Sequence, residues 1–421
     1  MRELIAWIEG RRVGAFTETP RPDGSIQYAF EYESVTREDI VSLTMVPSEA
    51  QRRFELPVFP PPFDMVLPEG ERRAKIESVR KMLRTDSFSL LGYVGGNPVN
   101  RVQFLPPDQR PGELPPKLPA PAEIASTRDG LALFRDLVAN LDLRQGIAGV
   151  QPKVLGAPAE KISADLRQFR GSTHILKAST SRFPFLAANE FLCLGVLARV
   201  GIAVPKVTLS ADGQLLLVDR FDVQRDGHVK GFEEAAALMG ETSETKYQRD
   251  VGSMIEVLCQ FIAPRAHADA RLTLARSLVL NHLLGNGNAH LKNFGVLYDD
   301  EARVELAPIY DCVSTLPYIP NDVPALTLSV EWYSKAWWPR IKIEEFVADY
   351  GRLSQRQIVA LFEEAFEAVM TGVGVVRQYG RDIGGFADLA ATIASLWTAR
   401  VESFRAEPSG LKKSRAGKKN L

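Results

Sequence analysis

LLGNGNAHLKNFGVLYDDEARVELAPIYDC, Leu283 to Cys312, packs a histidine, a lysine, several asparagines and an aspartate into a helix exit followed by a hairpin. Asn288 and Asn293 stand five apart, the spacing at which phosphoryl-transfer enzymes place a catalytic-loop aspartate and a magnesium-holding asparagine. Phe294 to Tyr298 reads as a short strand, Asp299-Asp300-Glu301 as a turn and Arg303 to Leu306 as the return strand. That hairpin delivers Asp311, a carboxylate able to hold magnesium that bridges nucleotide phosphates. The plain alternative is a polar turn ending a helix, since Gly and Asn are ordinary C-cap residues.

Composition sets the frame around this stretch. A chain of 421 residues has room for two or three domains with real cores. Its apolar content of 45% and charged content of 24% are those of an ordinary soluble protein. No apolar run is long enough for a membrane span and no secretory signal opens the chain, so cytoplasmic placement is expected. Cys193, Cys259 and Cys312 lack metal or disulfide spacing. A formal net charge of −1 gives no global attraction to nucleic acid, so DNA contact is expected only through a local patch or a partner.

Working outward, residues 1–106 read as a small α+β domain. Leu4 to Ile8 and Val13 to Phe16 pair over a turn, Ser25 to Tyr32 adds a strand, and Arg72 to Leu83 forms an amphipathic helix. Nothing in this domain looks catalytic, and its charges read as a solvated surface. Prolines from Pro106 to Pro121 mark 107–122 as a stiff, extended linker. Residues 123–228 form a mixed lobe. Gly146 to Gly156, GIAGVQPKVLG, is either a hairpin or a turn whose N–H groups face phosphate. His174 to Lys177, HILK, puts a lysine at a strand end, where it meets a phosphate or else solvent at a sheet edge. Ala187 to Val200 is a helix in which Glu190 either pairs with Lys177 or caps the helix. Leu215 to Asp222 is an apolar strand leaving into a charged turn.

Residues 229–408 are mainly helical, with Ile343 to Val347, Gln357 to Met370 and Phe386 to Phe404 as core-facing helices. Trp332, Trp337 and Trp338 read as packing. The basic tail 409–421 reads as disordered. A mixed lobe followed by a helical lobe, with the polar loop between helices, is the bilobal order of protein kinases.

GIAGVQPK, HILK, NEFLCLGVLARVGI, VDRFD, Lys246-Tyr247, NAHLKNF and IYD resemble, in that order, the HipA-type serine/threonine kinase toxins, over nearly the whole chain. The resemblance implies an α+β, bilobal protein-kinase-like fold with a small N-terminal α+β domain and a mainly helical C-terminal lobe. It implies ATP and Mg2+ as cofactors. Gly149, Val150, Gln151 and Lys153 would belong to the phosphate-side loop, and Lys177 would bind the phosphates. Asp219 and Phe221 would be hinge contacts to adenine, with Asp222 near the ribose and Tyr310 beside the nucleotide. His290, Asn293 and Asp311 would be catalytic, His290 also touching the nucleotide, with Asn293 and Asp311 as the metal ligands.

The partners implied are a helix-turn-helix DNA-binding antitoxin, DNA through that antitoxin, and an aminoacyl-tRNA synthetase as protein substrate. Two residues depart from the pattern. Asn288 stands where the family has its catalytic aspartate, and an amide cannot take a proton, so an impaired kinase is expected. Gly146 stands where the best-known members carry a regulatory loop serine. The competing reading is a non-catalytic, nucleotide-binding partner of an antitoxin complex.

Overall fold

Two aromatic-rich strands set the N-terminal domain. β1 (Arg2–Ile8) and β2 (Arg11–Pro20) pair antiparallel over a two-residue turn, in which Glu9 and Gly10 both take positive φ, 50° and 78°. Such a turn matches the twist of its flanking strands. β3 (Ile26–Tyr32), β4 (Arg53–Leu56) and β5 (Val102–Leu105) complete a sheet of order β4-β3-β2-β1-β5. Phe16, Phe30 and Phe63 are buried at its centre. The structure is a computed structural model that describes residues 1–80, 86–112, 115–139, 151–158, 172–332 and 334–410.

Three helices cover this sheet: α1 (Pro61–Asp64), α2 (Gly70–Arg80) and α3 (Ser87–Val94). The last is started by Asp86, whose carboxylate accepts the Ser89 N–H at 2.9 Å. The proline-rich stretch is not wholly extended spacer. Lys117–Leu118 forms a short strand, β6, and α4 (Pro121–Ser126) begins on a proline, a residue preorganised for the first helical turn. β6 lies parallel to β7 (Lys153–Pro158), so the linker is stitched into the next sheet.

That second sheet has the order β6-β7-β8-β10-β9, with β8 (His174–Ala178), β9 (Val207–Leu209) and β10 (Leu215–Asp219). Leu176, Leu215 and Leu217 face α5 (Gly130–Ala139) from one side, and α6 (Leu186–Arg199) packs on the other. The short strands β11 (Gly231–Glu234), β12 (Gly295–Tyr298) and β13 (Val304–Leu306) form a third sheet inside the helical lobe.

In that lobe α7 (Ala235–Leu238) and α8 (Val251–Phe261) precede α9 (His267–Leu284), whose C-terminal half is buried on every side. α10 (Arg340–Asp349), α11 (Gln355–Asp382) and α12 (Ala387–Ala406) surround it. α11 buries Ile358, Leu361, Phe362, Ala365, Phe366 and Val369, a three-and-four spacing that keeps one stripe on the core. Among the described residues, no helix is long and apolar enough to cross a membrane.

The N-terminal domain is not insulated from the rest. Phe232, Ala237, Leu297 and Ala307 of the helical lobe belong to the same apolar cluster as Phe63, Val66 and Leu67. The sheet that carries the β12–β13 hairpin is therefore joined to the first domain by shared core.

Candidate active site

α9 ends where Gly285 adopts φ 67°, a left-handed conformation in which glycine meets no Cβ penalty, and its N–H reaches back to the His282 carbonyl. The C-cap reading of this turn is thus correct, and the turn is also the entry to the polar loop. Asn286 fixes the next step: its Nδ2 donates to Asn281 Oδ1 at 2.8 Å, while its Oδ1 accepts the Asn288 N–H at 3.0 Å. The Gly287 N–H donates to Thr315 Oγ1 at 2.8 Å.

The loop then folds over its own carbonyls. Asn288 C=O accepts the His290 N–H at 2.8 Å and Asn293 Nδ2 at 2.9 Å. Asn293 Nδ2 also approaches the Asp311 carbonyl at 3.4 Å, which leaves Asn293 Oδ1 without a hydrogen bond among the described residues. Asn288 is partly exposed, and no hydrogen bond among the described residues engages its carboxamide.

Across the cleft, β8 carries Lys177 to the same point. Its ammonium lies 2.6 Å from Glu190 Oε1 on α6 and 2.9 Å from Asp311 Oδ1, and its side chain is 7% exposed. Of the two readings open for Lys177, the solvent-edge one is excluded. Burial alone would lower the Lys177 ammonium, but Asp311 and Glu190 outweigh it and hold its pKa above the usual lysine value. Burial would likewise raise the Asp311 carboxyl, and Lys177 and Lys153 instead hold it well below the usual carboxylate range. Asp311 itself sits at φ 55°, a strained backbone for a non-glycine residue.

Lys153 lies opposite Lys177 in the β7–β8 register, and burial lowers its ammonium. Gln151 donates from Nε2 to the Ala178 carbonyl at 3.2 Å, tying the segment before β7 to the end of β8. Gly149 and Val150, with Gly146, lie outside the described residues. His290 is buried, its Nδ1 has no hydrogen-bond partner among the described residues, and burial with Lys246 nearby pushes its pKa down to about 4. It is a neutral imidazole near pH 7.

Beyond the end of β10 two aromatic rings meet at a tilt of 37°. Phe221 and Tyr310 rings lie 5.4 Å apart, and Tyr310 Oη donates to the Lys292 carbonyl at 2.6 Å. The Asp219 N–H is used by the Lys206 carbonyl at 2.9 Å, and its carboxylate stands 3.2 Å from His174. The Phe221 N–H makes no hydrogen bond among the described residues. Asp222 departs from expectation. Both its oxygens are gripped by the Arg220 guanidinium, at 3.0 and 2.5 Å, and the residue is 1% exposed. A carboxylate so engaged braces the turn after β10 and is not presented to a ribose.

The described residues contain no group of three or more His, Cys, Asp or Glu side chains fit to hold a metal by themselves. One carboxylate oxygen from Asp311 and the Oδ1 of Asn293 could serve as donors to a cation whose remaining ligands come from elsewhere.

Residues 145–373 match the HipA-like C-terminal domain and residues 4–105 match the HipA N-terminal domain. This chain belongs to the HipA family. It is 31% identical over 398 residues to Y4mE of Sinorhizobium fredii, a candidate kinase by its name, across 88% of this chain and 91% of that one. Y4dM of the same organism, likewise a candidate kinase by name, is 27% identical over 290 residues, covering 65% of this chain and 66% of its own. Among solved structures, Shewanella oneidensis HipA, captured with HipB and operator DNA, superposes with a TM-score of 0.67 at 16% identity, over 96% of this chain and all of that one. The bilobal, kinase-like HipA fold expected from the sequence is therefore the fold found.

Sequence reading gave no role to four charged residues beside this loop. Lys246 and Lys292 are buried with Glu69 and Glu234, and Glu69 comes from the N-terminal domain. Nothing in the spacing of Glu69 links it to a loop more than 200 residues away. The only signal was lysines at 246 and 292 inside otherwise apolar or motif-bearing stretches.

Proposed function

We propose that this HipA-family chain binds Mg-ATP between β8 and the catalytic loop and belongs to a serine/threonine protein kinase line of toxins. The observation that carries the reading is the triad in which the buried Lys177 joins Glu190 to Asp311, whose carbonyl lies 3.4 Å from Asn293 Nδ2. In phosphoryl transfer an ammonium held by a helix glutamate is presented to the α and β phosphates. Magnesium, when bound, would neutralise phosphate charge, with Asp311 and Asn293 as its protein ligands. Phe221 and Tyr310 would flank the adenine.

The reaction supported is attack of a substrate hydroxyl oxygen on the γ-phosphorus, with cleavage of the bond to the bridging oxygen and release of ADP. The hydroxyl proton needs an acceptor at position 288, and the carboxamide there is none. Asn288 can orient the hydroxyl, but the chain as it stands is slowed by about 10²–10⁴-fold, the usual worth of a general base. The protein substrate is a translation protein of the aminoacyl-tRNA synthetase kind, and the partner a helix-turn-helix antitoxin that supplies the DNA contact. The HipA–HipB–operator complex of the Shewanella relative supports that partnership.

The carboxamide at 288 also favours a second reading, a nucleotide-binding partner of an antitoxin complex without turnover. Asn288→Asp separates the two. Expressed without antitoxin, it should arrest growth and label a protein substrate with the γ-phosphate, and Asn288→Asp with Asp311→Ala should be silent again. An inert Asn288→Asp chain that still binds Mg-ATP would support the second reading.

A further inference from the structure

The N-terminal domain has no part in the chemistry above, yet Glu69 meets two lysines at and beside the catalytic loop, and Asp64 meets the Ser243 that bonds one of them. Glu69, in the turn between α1 and α2, accepts Lys246 Nζ at 2.6 Å through Oε2 and stands 3.1 Å from Lys292 Nζ through Oε1. Asp64, at the end of α1, accepts both the N–H and the hydroxyl of Ser243, at 2.7 and 2.8 Å. The same hydroxyl accepts Lys292 Nζ at 3.0 Å, and Glu234 Oε2 lies 3.4 Å from that ammonium.

These groups touch the loop at its working residues. Lys292 is the neighbour of Asn293, and its carbonyl receives the Tyr310 hydroxyl. Lys246 precedes Tyr247, whose ring stands edge-on to His290 with centroids 5.2 Å apart. The lysine side chains are 7% and 5% exposed, so each ammonium depends on a carboxylate. Glu234 shares the task poorly, because burial pushes it up to about 7, whereas Lys292 and Lys246 overcome burial at Glu69 and hold it down to about 2.

We infer that Glu69 is a positioning residue for the catalytic loop: through Lys292 and Lys246 it sets Asn293 and His290, which makes the N-terminal domain a structural part of the active site. The inference rests on the proposed reading of this loop as catalytic. A merely adhesive ion pair would hold the domain in place without tuning the loop.

The test uses the full chain with Glu69→Gln, Glu69→Asp and, as control, Glu77→Gln, which breaks the Arg73 pair in the same domain. Hydrogen exchange of amides 288–293 needs no activity. It should quicken about tenfold or more in Glu69→Gln, partly recover in Glu69→Asp and stay unchanged in Glu77→Gln, with β1–β2 protection retained throughout. In the Asn288→Asp background, Glu69→Gln should lower kcat about tenfold while KM for ATP moves less than about twofold.

Unchanged loop exchange in Glu69→Gln would overturn the inference. So would a uniform loss of protection across both domains, which marks a general structural role. Where Glu69→Gln fails to fold, Glu69→Gln with Lys246→Met removes one orphaned ammonium; it should fold with a fast-exchanging loop, and normal loop protection or renewed misfolding would count against the idea. If Asn288→Asp is inert, the proposed reaction fails, while exchange still reports whether Glu69 holds the loop.

Discussion

Lys177 and Asp311, 134 residues apart in the chain, meet at 2.9 Å across the cleft. Neither is placed by local structure alone: β8 supplies one, and the segment after the β12–β13 hairpin supplies the other at a strained φ of 55°. Opposite charges held this closely, one of them buried, are costly to separate, so the pair fixes which elements face each other across the cleft.

Removing Asp311 should therefore abolish nucleotide binding. Asp311→Ala deletes the only carboxylate of the expected metal set and leaves Lys177 tied to Glu190. Calorimetry on the chain as it stands should show magnesium-dependent ATP binding that vanishes in Asp311→Ala. Absence of binding at millimolar ATP in the parent chain would refute the nucleotide site itself. Lys177→Met should weaken binding and also cost about 3–5 kcal/mol of stability, because Glu190 and Asp311 lose their shared cation. Urea denaturation measures that loss.

Gly287 is a second point of sensitivity. A Cβ built there would lie 2.1 Å from Asp322 Oδ2 and 2.9 Å from Thr315 Oγ1. Gly287→Ala should force the Asp322 segment away from the loop, at about 1–3 kcal/mol, the usual cost of overpacking. Gly287→Ala combined with Asp322→Ala should recover most of the loss in urea midpoint. Equal destabilisation in the single and double variants would show that the clash lies elsewhere.

The parts of this arrangement that were legible in the sequence are those fixed by local chemistry. Gly285 ends α9 because glycine tolerates φ 67°, and the alternation in HILK puts Lys177 on a buried face. For Glu190 two readings stayed open in the sequence, a pair with Lys177 or a helix cap, and the structure has the pair. Asp222 was misplaced for a physical reason: its neighbour Arg220 folds back to take both oxygens, a choice between solvent, ribose and self that spacing does not encode. The charges of the N-terminal domain were read as a solvated surface because they are scattered along the sequence. Arg11, Arg12 and Glu38 are indeed exposed, but Asp64 and Glu69 face the helical lobe, and only the shared core of Phe63 with Phe232 and Leu297 reveals it.

DNA binding by this chain should be borrowed. With a formal net charge of −1 the chain lacks the excess of cationic charge that phosphate recognition requires. Gel shifts with the isolated protein should be weak and lost at moderate salt, and should tighten when a helix-turn-helix antitoxin is supplied. Tight, sequence-specific binding by the chain alone would contradict this.

His228 should make the clasp between the domains pH-dependent. Its Nδ1 lies 2.9 Å from Glu9 Oε1 in the first hairpin and its Nε2 lies 3.0 Å from Asp299 Oδ1 in the β12–β13 turn. Partial burial would lower the imidazole, but hydrogen bonds to Asp299 and Glu9 raise its pKa above the ordinary value of 6.5. A pKa raised on folding means that the folded state binds the proton more tightly than the unfolded one. Its contribution is fully present below the unfolded value of about 6.5 and is lost as pH climbs through the higher folded value. Arg303 lies 3.8 Å from Asp299 Oδ2 and partly competes for that carboxylate, and the His228 side chain is 39% exposed. Solvent screening then limits the clasp to about 0.2–1 kcal/mol, the range of exposed ion pairs. His228→Gln should lower the urea midpoint at about pH 6 and differ little from the parent at about pH 9, since a neutral imidazole and an amide leave the two carboxylates equally unpaired in charge. A difference that stays constant or grows with pH would mean that the protonated His228 is not what joins Glu9 to Asp299.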